Sequence, residues 1–230
     1  MQKKWIIALA VVVVAIIAVV GGTALYARIE NNKAPDELAL STPTATASAD
    51  AASPAGPVTL DSLAGAWTIS DGSQAGYRVA EVLNGQNVTV VGRTTDVTGS
   101  VTITGPELVA ADVTVSMTSV ATDNSSRDRQ FLDILSTSEH PTSTFALTSP
   151  VDISAITGGV VTVDATGDLT IAGVTRSVTV ALSAQTTADG VEVSGSIPVT
   201  FSDYGVDAPN LGFVKVEDAG TVEMLLQLGR

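Results

Sequence analysis

Cysteine is absent from the 230 residues. Its absence removes disulfides, thiolate nucleophiles, Cys-ligated zinc and iron–sulfur clusters. It also removes a lipid-modified N-terminal cysteine. Histidine occurs once, at His140, so a multi-histidine metal site is impossible and a Ser-His-Asp triad would have to use that one ring. Aromatic residues are only 4% and charged residues only 15%, the latter against roughly 25% in an average soluble domain. Positive charge is scarcer still: 11 Lys and Arg face 24 Asp and Glu, a formal net charge of -13. A nucleic-acid partner needs a basic face to neutralise phosphates, and this chain has none to offer. Hydrophobic residues, at 45%, are what remains in quantity.

They are not spread evenly, and the chain divides into three parts. Residues 1–30 open with Lys3 and Lys4, and Trp5 to Ala27 then carries no charge. At 1.5 Å per residue that run is roughly 34 Å long, enough for a hydrocarbon core of about 30 Å. Trp5 and Tyr26 lie at its two ends, where interfacial aromatics belong. The segment reads as a transmembrane anchor. A cleaved signal peptide is the rival reading, with Gly22-Thr23-Ala24 as the cleavage site, although its apolar region is normally about 7–15 residues. Lys3 and Lys4 favour a cytoplasmic N-terminus. The bulk of the chain is then outside the cytoplasm, single-pass if the anchor is kept and secreted if it is cleaved.

Residues 31–57 are Ala, Ser, Thr and Pro with no aromatic residue. Such a segment buries too little apolar surface to offset ordering entropy, so it reads as a disordered linker. Residues 58–230 form the folded domain and hold the whole charge excess, which keeps it off anionic headgroups.

That domain reads as all-β. Val161, Val163, Ala165, Gly167, Leu169 and Ile171 alternate with polar residues. So do Val178, Val180, Leu182 and Ala184, and again Val191, Val193, Gly195, Ile197, Val199 and Phe201. Period-two runs with one apolar face are half-buried strands. Further strands are expected over 76–83, 86–96, 98–104, 108–119, 143–148 and 221–228. Asn84-Gly85, Thr104-Gly105-Pro106, Gly158-Gly159 and Ala188-Asp189-Gly190 supply turns. Eight to ten antiparallel strands leave a sandwich or a closed barrel. One segment departs from the pattern: Asn124-Ser125-Ser126 is a capping signal, and Arg127, Phe131, Ile134 and Leu135 follow at helical spacing. A short helix there closes one end of the β structure. No phosphate loop, calcium loop or nucleophile–base pair is present; the Gly-x-Gly patterns fall in turns, and His140 reads as a surface-loop residue.

Gly167-Asp168-Leu169-Thr170-Ile171-Ala172-Gly173-Val174-Thr175-Arg176 resembles the hallmark segment of the YceI-like family. Asn124 through Asp133 is similar to that family's N-x-x-R-D-x-x-L stretch. Pro141-Thr142-Ser143-Thr144-Phe145 is similar to its Y-P-T-I-T-F, and Asp203-Tyr204-Gly205-Val206 to its D-F-G-I. Trp67-Thr68-Ile69 and Tyr77-Arg78-Val79 fit its opening strands, and the resemblance runs over about 66–228. It implies a lipocalin-like antiparallel β-barrel of about eight strands that holds an isoprenoid chain, of a quinone or a polyprenyl lipid, as bound ligand. Barrels of that size can enclose one small ligand. Two family histidines are missing, near Ser73 and at Ala172, which puts any headgroup contact through them in doubt.

The apolar faces and the family motifs together nominate Tyr77, Val79, Arg127, Phe131, Ile134, Phe145, Val178, Val180, Phe201 and Phe213 as ligand-binding residues. Arg127 and Asp128 either pair with each other or orient a headgroup. No catalytic or metal-ligating residue is nominated, and no cofactor beyond the lipid itself. Partners are the membrane and a hydrophobic lipid. A structural or adhesion domain of the cell envelope with a dry, filled core is the alternative, and an enzyme would have to rely on carboxylates, Tyr or Arg. Small inward residues such as Ala165, Gly167 and Gly195 are expected to leave a cavity if the fold is a barrel.

Overall fold

The computed structural model describes residues 22–42, 59–188 and 190–230. Residues 22–33 are helical, and 34–42 continue without regular structure. A short helix α1 (Leu60–Leu63) leads into β1 (Gly65–Ile69), β2 (Gln74–Leu83), β3 (Gln86–Thr94), β4 (Val97–Thr104) and β5 (Glu107–Ser116). Helix α2 (Ser125–Ile134) follows. Then come β6 (Thr142–Leu147), β7 (Val151–Asp152), β8 (Val161–Ile171), β9 (Val174–Thr186), β10 (Val191–Thr200) and β11 (Val214–Gly229). Every pairing is antiparallel, in the order β1-β4-β5-β6-β8-β9-β10-β11, and β1 pairs back onto β11. The ring from β1 to β11 therefore closes on itself, which removes most of the unpaired edges an open sheet would present; β2 extends it from β11, and β3, paired to β2, ends the strand order.

The register explains why so many strands make an eight-stranded barrel. Ala75 faces Thr94 and Thr68 faces Ser100. β1 with β2, and β3 with β4, are thus two long staves of one hairpin, each bent near its middle. Ser73 closes the bend between β1 and β2: its Oγ donates to the Ser70 carbonyl at 2.8 Å and accepts from the Gln227 N–H at 2.9 Å. The Asn84-Gly85 and Ala172-Gly173 hairpin turns have positive φ at both residues (49° and 78°, 48° and 76°), the two-residue geometry that matches strand twist. β11 starts at Val214, earlier than the 221 expected, because a register shift between Val216 and Gly220 interrupts the alternation there.

The barrel is filled at one end and open at the other. Trp67, Ile103, Val161, Ala165, Val180, Leu182, Val191, Leu226 and Leu228 are buried in one cluster. Leu63 of α1 belongs to it, and the Trp67 indole N–H donates to the Leu63 carbonyl at 2.8 Å. The small inward residues do not leave the cavity expected of them. Phe145 covers the position where a side chain on Gly167 would stand, and Met224, Leu182 and Val180 converge on Gly195. Large side chains from neighbouring strands take the space, as interior packing density requires.

Part of the expected linker is ordered. Residues 31–42 lie along the outside of the barrel, over an unusual set of buried outward-facing charges. Glu223 is 3% exposed and accepts from Arg78 Nε at 2.7 Å and Arg93 Nη2 at 2.6 Å. Those guanidinium groups donate to the carbonyls of Pro35 and Asp36, and the Leu38 N–H reaches Glu223. Further along, Ser41 donates its N–H and hydroxyl to Glu192, which is also 3% exposed. Burial pushes the Glu192 carboxyl up, but hydrogen bonds from Gln227, Ser41 and Gln185 outweigh it and hold the group below the usual glutamate range. Charged hydrogen bonds order this segment where apolar burial alone would not. Residues 43–57 of the expected linker lie outside the described residues.

The C-terminal end of the expected anchor touches the barrel. Ala27 is buried, and Asn31 pairs with edge strand β3, donating to the Asn87 carbonyl at 3.0 Å and accepting from the Thr89 N–H at 2.7 Å. The helix that begins at Gly22 is thus fastened to the barrel through Asn31. Among the described residues no helix is long and apolar enough to cross a membrane. Residues 1–21, where the rest of the expected anchor falls, lie outside them.

Candidate ligand cavity

The open end encloses a cavity of about 470 Å³, within the range of roughly 300–1,000 Å³ usual for small-molecule sites. Its walls are inward residues of β2, β5, β6, β10 and β11, among them Val79, Val115, Phe145, Ile197, Val199 and Met224. Helix α2 lies over one side and contributes Arg127, Gln130, Phe131 and Ile134. The sequence places it well: Asn124 caps it by accepting from the N–H groups of Ser126 and Arg127, satisfying donors that helix geometry leaves free.

Aromatic packing fixes one wall. Tyr77 stacks on Phe131 with centroids 5.0 Å apart and planes 9° from parallel. On its other side the Tyr77 ring lies against Gly92, directly opposite on β3, where a side chain would collide with it. Burial pushes the Tyr77 phenol up to about 12, so at neutral pH it is an uncharged donor.

Polar groups in the cavity are few and placed. Glu81 stands on the inward face of β2, is 6% exposed, and pairs with Arg127 at 3.5 Å. Arg127 also holds Asp123 at 2.8 Å. The expected Arg127–Asp128 pairing does not form: Asp128 accepts from the N–H and hydroxyl of Thr122 and anchors the chain before the helix. Adjacent residues on a helix point in different directions, which is why sequence adjacency misled. Ser143 Oγ, in the wall and buried, has no hydrogen-bond partner in the described structure. An orphaned buried hydroxyl costs about 1–3 kcal/mol unless a ligand or water meets it. The arrangement is thus a long apolar slot with a neutral phenol, a hydroxyl and a compensated ion pair for polar contact.

Of the nominated residues, Tyr77, Val79, Arg127, Phe131, Ile134, Phe145, Phe201 and Phe213 line the cavity. Val180 does not: it is fully buried. Val178 packs against the core from the inner face of β9. Both face inward as the alternation requires, but neither is among the residues that line the cavity. Among the lining residues overlooked are three with a polar group. Glu81 had a signal, an acid in the apolar row Ala75, Tyr77, Val79, Glu81, Leu83. Ser143 had the same inward alternation with Phe145. Tyr26, which also lines the mouth, had none, because it was read as the end of a membrane span.

Neither Ser73 nor Ala172 lines the cavity. His140, expected as a loop residue, is half-buried with its ring packed where a side chain on Gly173 would stand. The one imidazole of this chain thus packs against the β8–β9 turn.

Comparison with known proteins agrees with this geometry. A polyisoprenoid binding domain from Saccharophagus degradans, implicated in plant cell wall breakdown, shares the fold with a TM-score of 0.57 and 20% identity, over 72% of this chain and 98% of that one. BcnA of Burkholderia cenocepacia does so with a TM-score of 0.55 and 18% identity, over 75% and 99%. No curated protein matches the sequence. The model of the YceI-like domain matches residues 67–228, from the Trp67 that plugs the closed end to the last residues of the strand that closes the ring. The chain belongs to the YceI-like domain family.

Proposed function

We propose that the protein is a membrane-tethered, extracytoplasmic carrier that holds the isoprenoid chain of a quinone or polyprenyl lipid inside its barrel and catalyses no reaction. The observation that carries this reading is the open apolar cavity of about 470 Å³ over a fully packed lower half. A structural envelope domain has no use for an unfilled upper half, since each void forfeits packing energy. The polyisoprenoid binding domain of Saccharophagus degradans, alike in fold, supports the choice of ligand.

Energetics fit a carrier. Each CH₂ removed from water gains about 0.8 kcal/mol, so a prenyl chain would bind too tightly to leave if water were its alternative. Its alternative is a bilayer, already apolar, and transfer between bilayer and barrel is close to neutral. The uncharged stretch before Gly22 keeps the barrel beside its supply. Organic extraction and mass spectrometry of the full chain, purified from a host that makes prenyl lipids, test the reading. A prenyl lipid near one per protein is expected, falling at least fivefold in Val115→Phe, which fills the cavity. An empty, folded protein that also takes up no added prenol would overturn it.

A further inference from the structure

Large apolar side chains are exposed at few places in the described structure, and most are together. Leu211 is 55% exposed and Phe213 61%. Both lie on the connection between β10 and β11 and both line the cavity mouth, as does Tyr26. They are not exposed through laxity. Leu211 N–H donates to the Val214 carbonyl, and Asn84 N–H donates to the Phe213 carbonyl, each at 2.8 Å. The backbone is fixed to the tip of the β2–β3 hairpin while the side chains point away. Leu25 and Ile29, also exposed, sit within one helical turn of Tyr26. The outer apolar surface is therefore continuous with the cavity wall.

The covalent chain says what covers it. Gly22, Thr23 and Tyr26 border a shallow hollow shared with Leu83 and Asn84, the same hairpin tip that holds Phe213. The uncharged run Trp5 to Gly21, at the short end of the ~17–25 residues that span a bilayer, precedes Gly22 in the chain. We propose that the cavity mouth is a bilayer-docking surface, with Phe213, Leu211, Leu25 and Ile29 set into the boundary between headgroups and acyl chains, so that a lipid chain passes from bilayer to barrel without crossing water. Aromatic and leucine side chains on one face are what interfacial binding uses. The barrel's net charge of -13 selects a zwitterionic rather than an anionic surface. The inference rests on the carrier reading for its purpose, but not for its geometry.

The chain has no cysteine, so single labelling sites are clean. Full-length Phe213→Cys, and Val160→Cys on the opposite end, are labelled with a nitrobenzoxadiazole fluorophore and reconstituted into phosphatidylcholine vesicles with brominated acyl chains. Quenching of at least half the emission at 213 and less than a tenth at 160 is expected. Equal quenching at both sites, or none at 213, overturns the proposal. So does a blue shift at 213 that grows with protein concentration without added vesicles, which would mean a second copy covers the mouth. Leu25→Asp with Ile29→Asp, neither of which lines the cavity, should slow uptake of a pyrene-labelled prenol from phosphatidylcholine vesicles at least tenfold and leave loading from detergent micelles unchanged. Unchanged vesicle uptake overturns docking and leaves the carrier reading standing. Failure of the unaltered protein to load by either route overturns the carrier reading, while the quenching result still decides the docking.

Discussion

Replacing Glu223 by glutamine should destabilise the barrel far more than an outward-facing substitution ordinarily does. Glu223 lies on the outer face of β11, yet Arg78, Arg93 and the Pro35–Leu38 backbone bury it. Glu223→Gln keeps the shape and removes the charge. Two guanidinium groups, with side chains 19% and 14% exposed, are then left beside each other without a counterion. Arg93 is already strained in this respect, since burial lowers its basicity and Nε and Nη1 find no hydrogen-bond partner in the described structure. Breaking a buried ion pair from one side costs about 3–5 kcal/mol. The carbonyls of Pro35 and Asp36 still accept from the guanidinium groups, which puts the expected loss at the lower end, about 3 kcal/mol. For a domain of this size that is a fall in Tm of roughly 6–12 °C. Thermal unfolding by circular dichroism at pH 7 measures it, and amide exchange at Leu38 should accelerate in step as the strap lifts. A loss below about 0.5 kcal/mol, the ordinary value for a surface site, would refute the reasoning and show the strap to be energetically idle.

Acid should loosen the strap at its far end. The Glu192 carboxyl is held below the ordinary glutamate value of 4.5, so its stabilising contribution is complete above that pH and is lost as pH falls through the depressed value. The Tm difference between the unaltered protein and Glu192→Gln should accordingly be constant near neutrality and shrink as the pH falls below the ordinary glutamate value of 4.5, with Ser41 amide exchange following the same profile. At the β8–β9 turn, Ala172 occupies a left-handed conformation at φ 48°, which costs an alanine about 1–2 kcal/mol. Ala172→Asn should stabilise the barrel by about 0.5–1 kcal/mol, read as a higher urea midpoint at unchanged slope, because asparagine tolerates that conformation and Asn-Gly suits the turn.

Much of this protein is set by sequence alone, because strands and turns are local. Alternation of Val, Ile and Thr over 161–171 and 191–200 marks strands whose inward face is decided by period two, and those strands are observed there. Asn84-Gly85 marks its turn because few other residue pairs accept φ above zero twice in succession. Asn124 marks the start of α2 for a reason equally local, the free N–H groups it caps. Three-dimensional closure decided the rest. Alternation tells that Val180 and Val79 both face inward, but not that one is sealed in the core and the other lines the cavity, since that depends on which side chains barrel closure brings beside each. It cannot tell that Gly195 is filled from Met224 and Leu182, residues brought beside it by pairing with β11 and β9. Nor can composition tell that a proline- and serine-bearing segment finds order. Pro35 and Ser41 are held because Arg78, Arg93, Glu223 and Glu192, on four different strands, form one charged wall only after the barrel has closed.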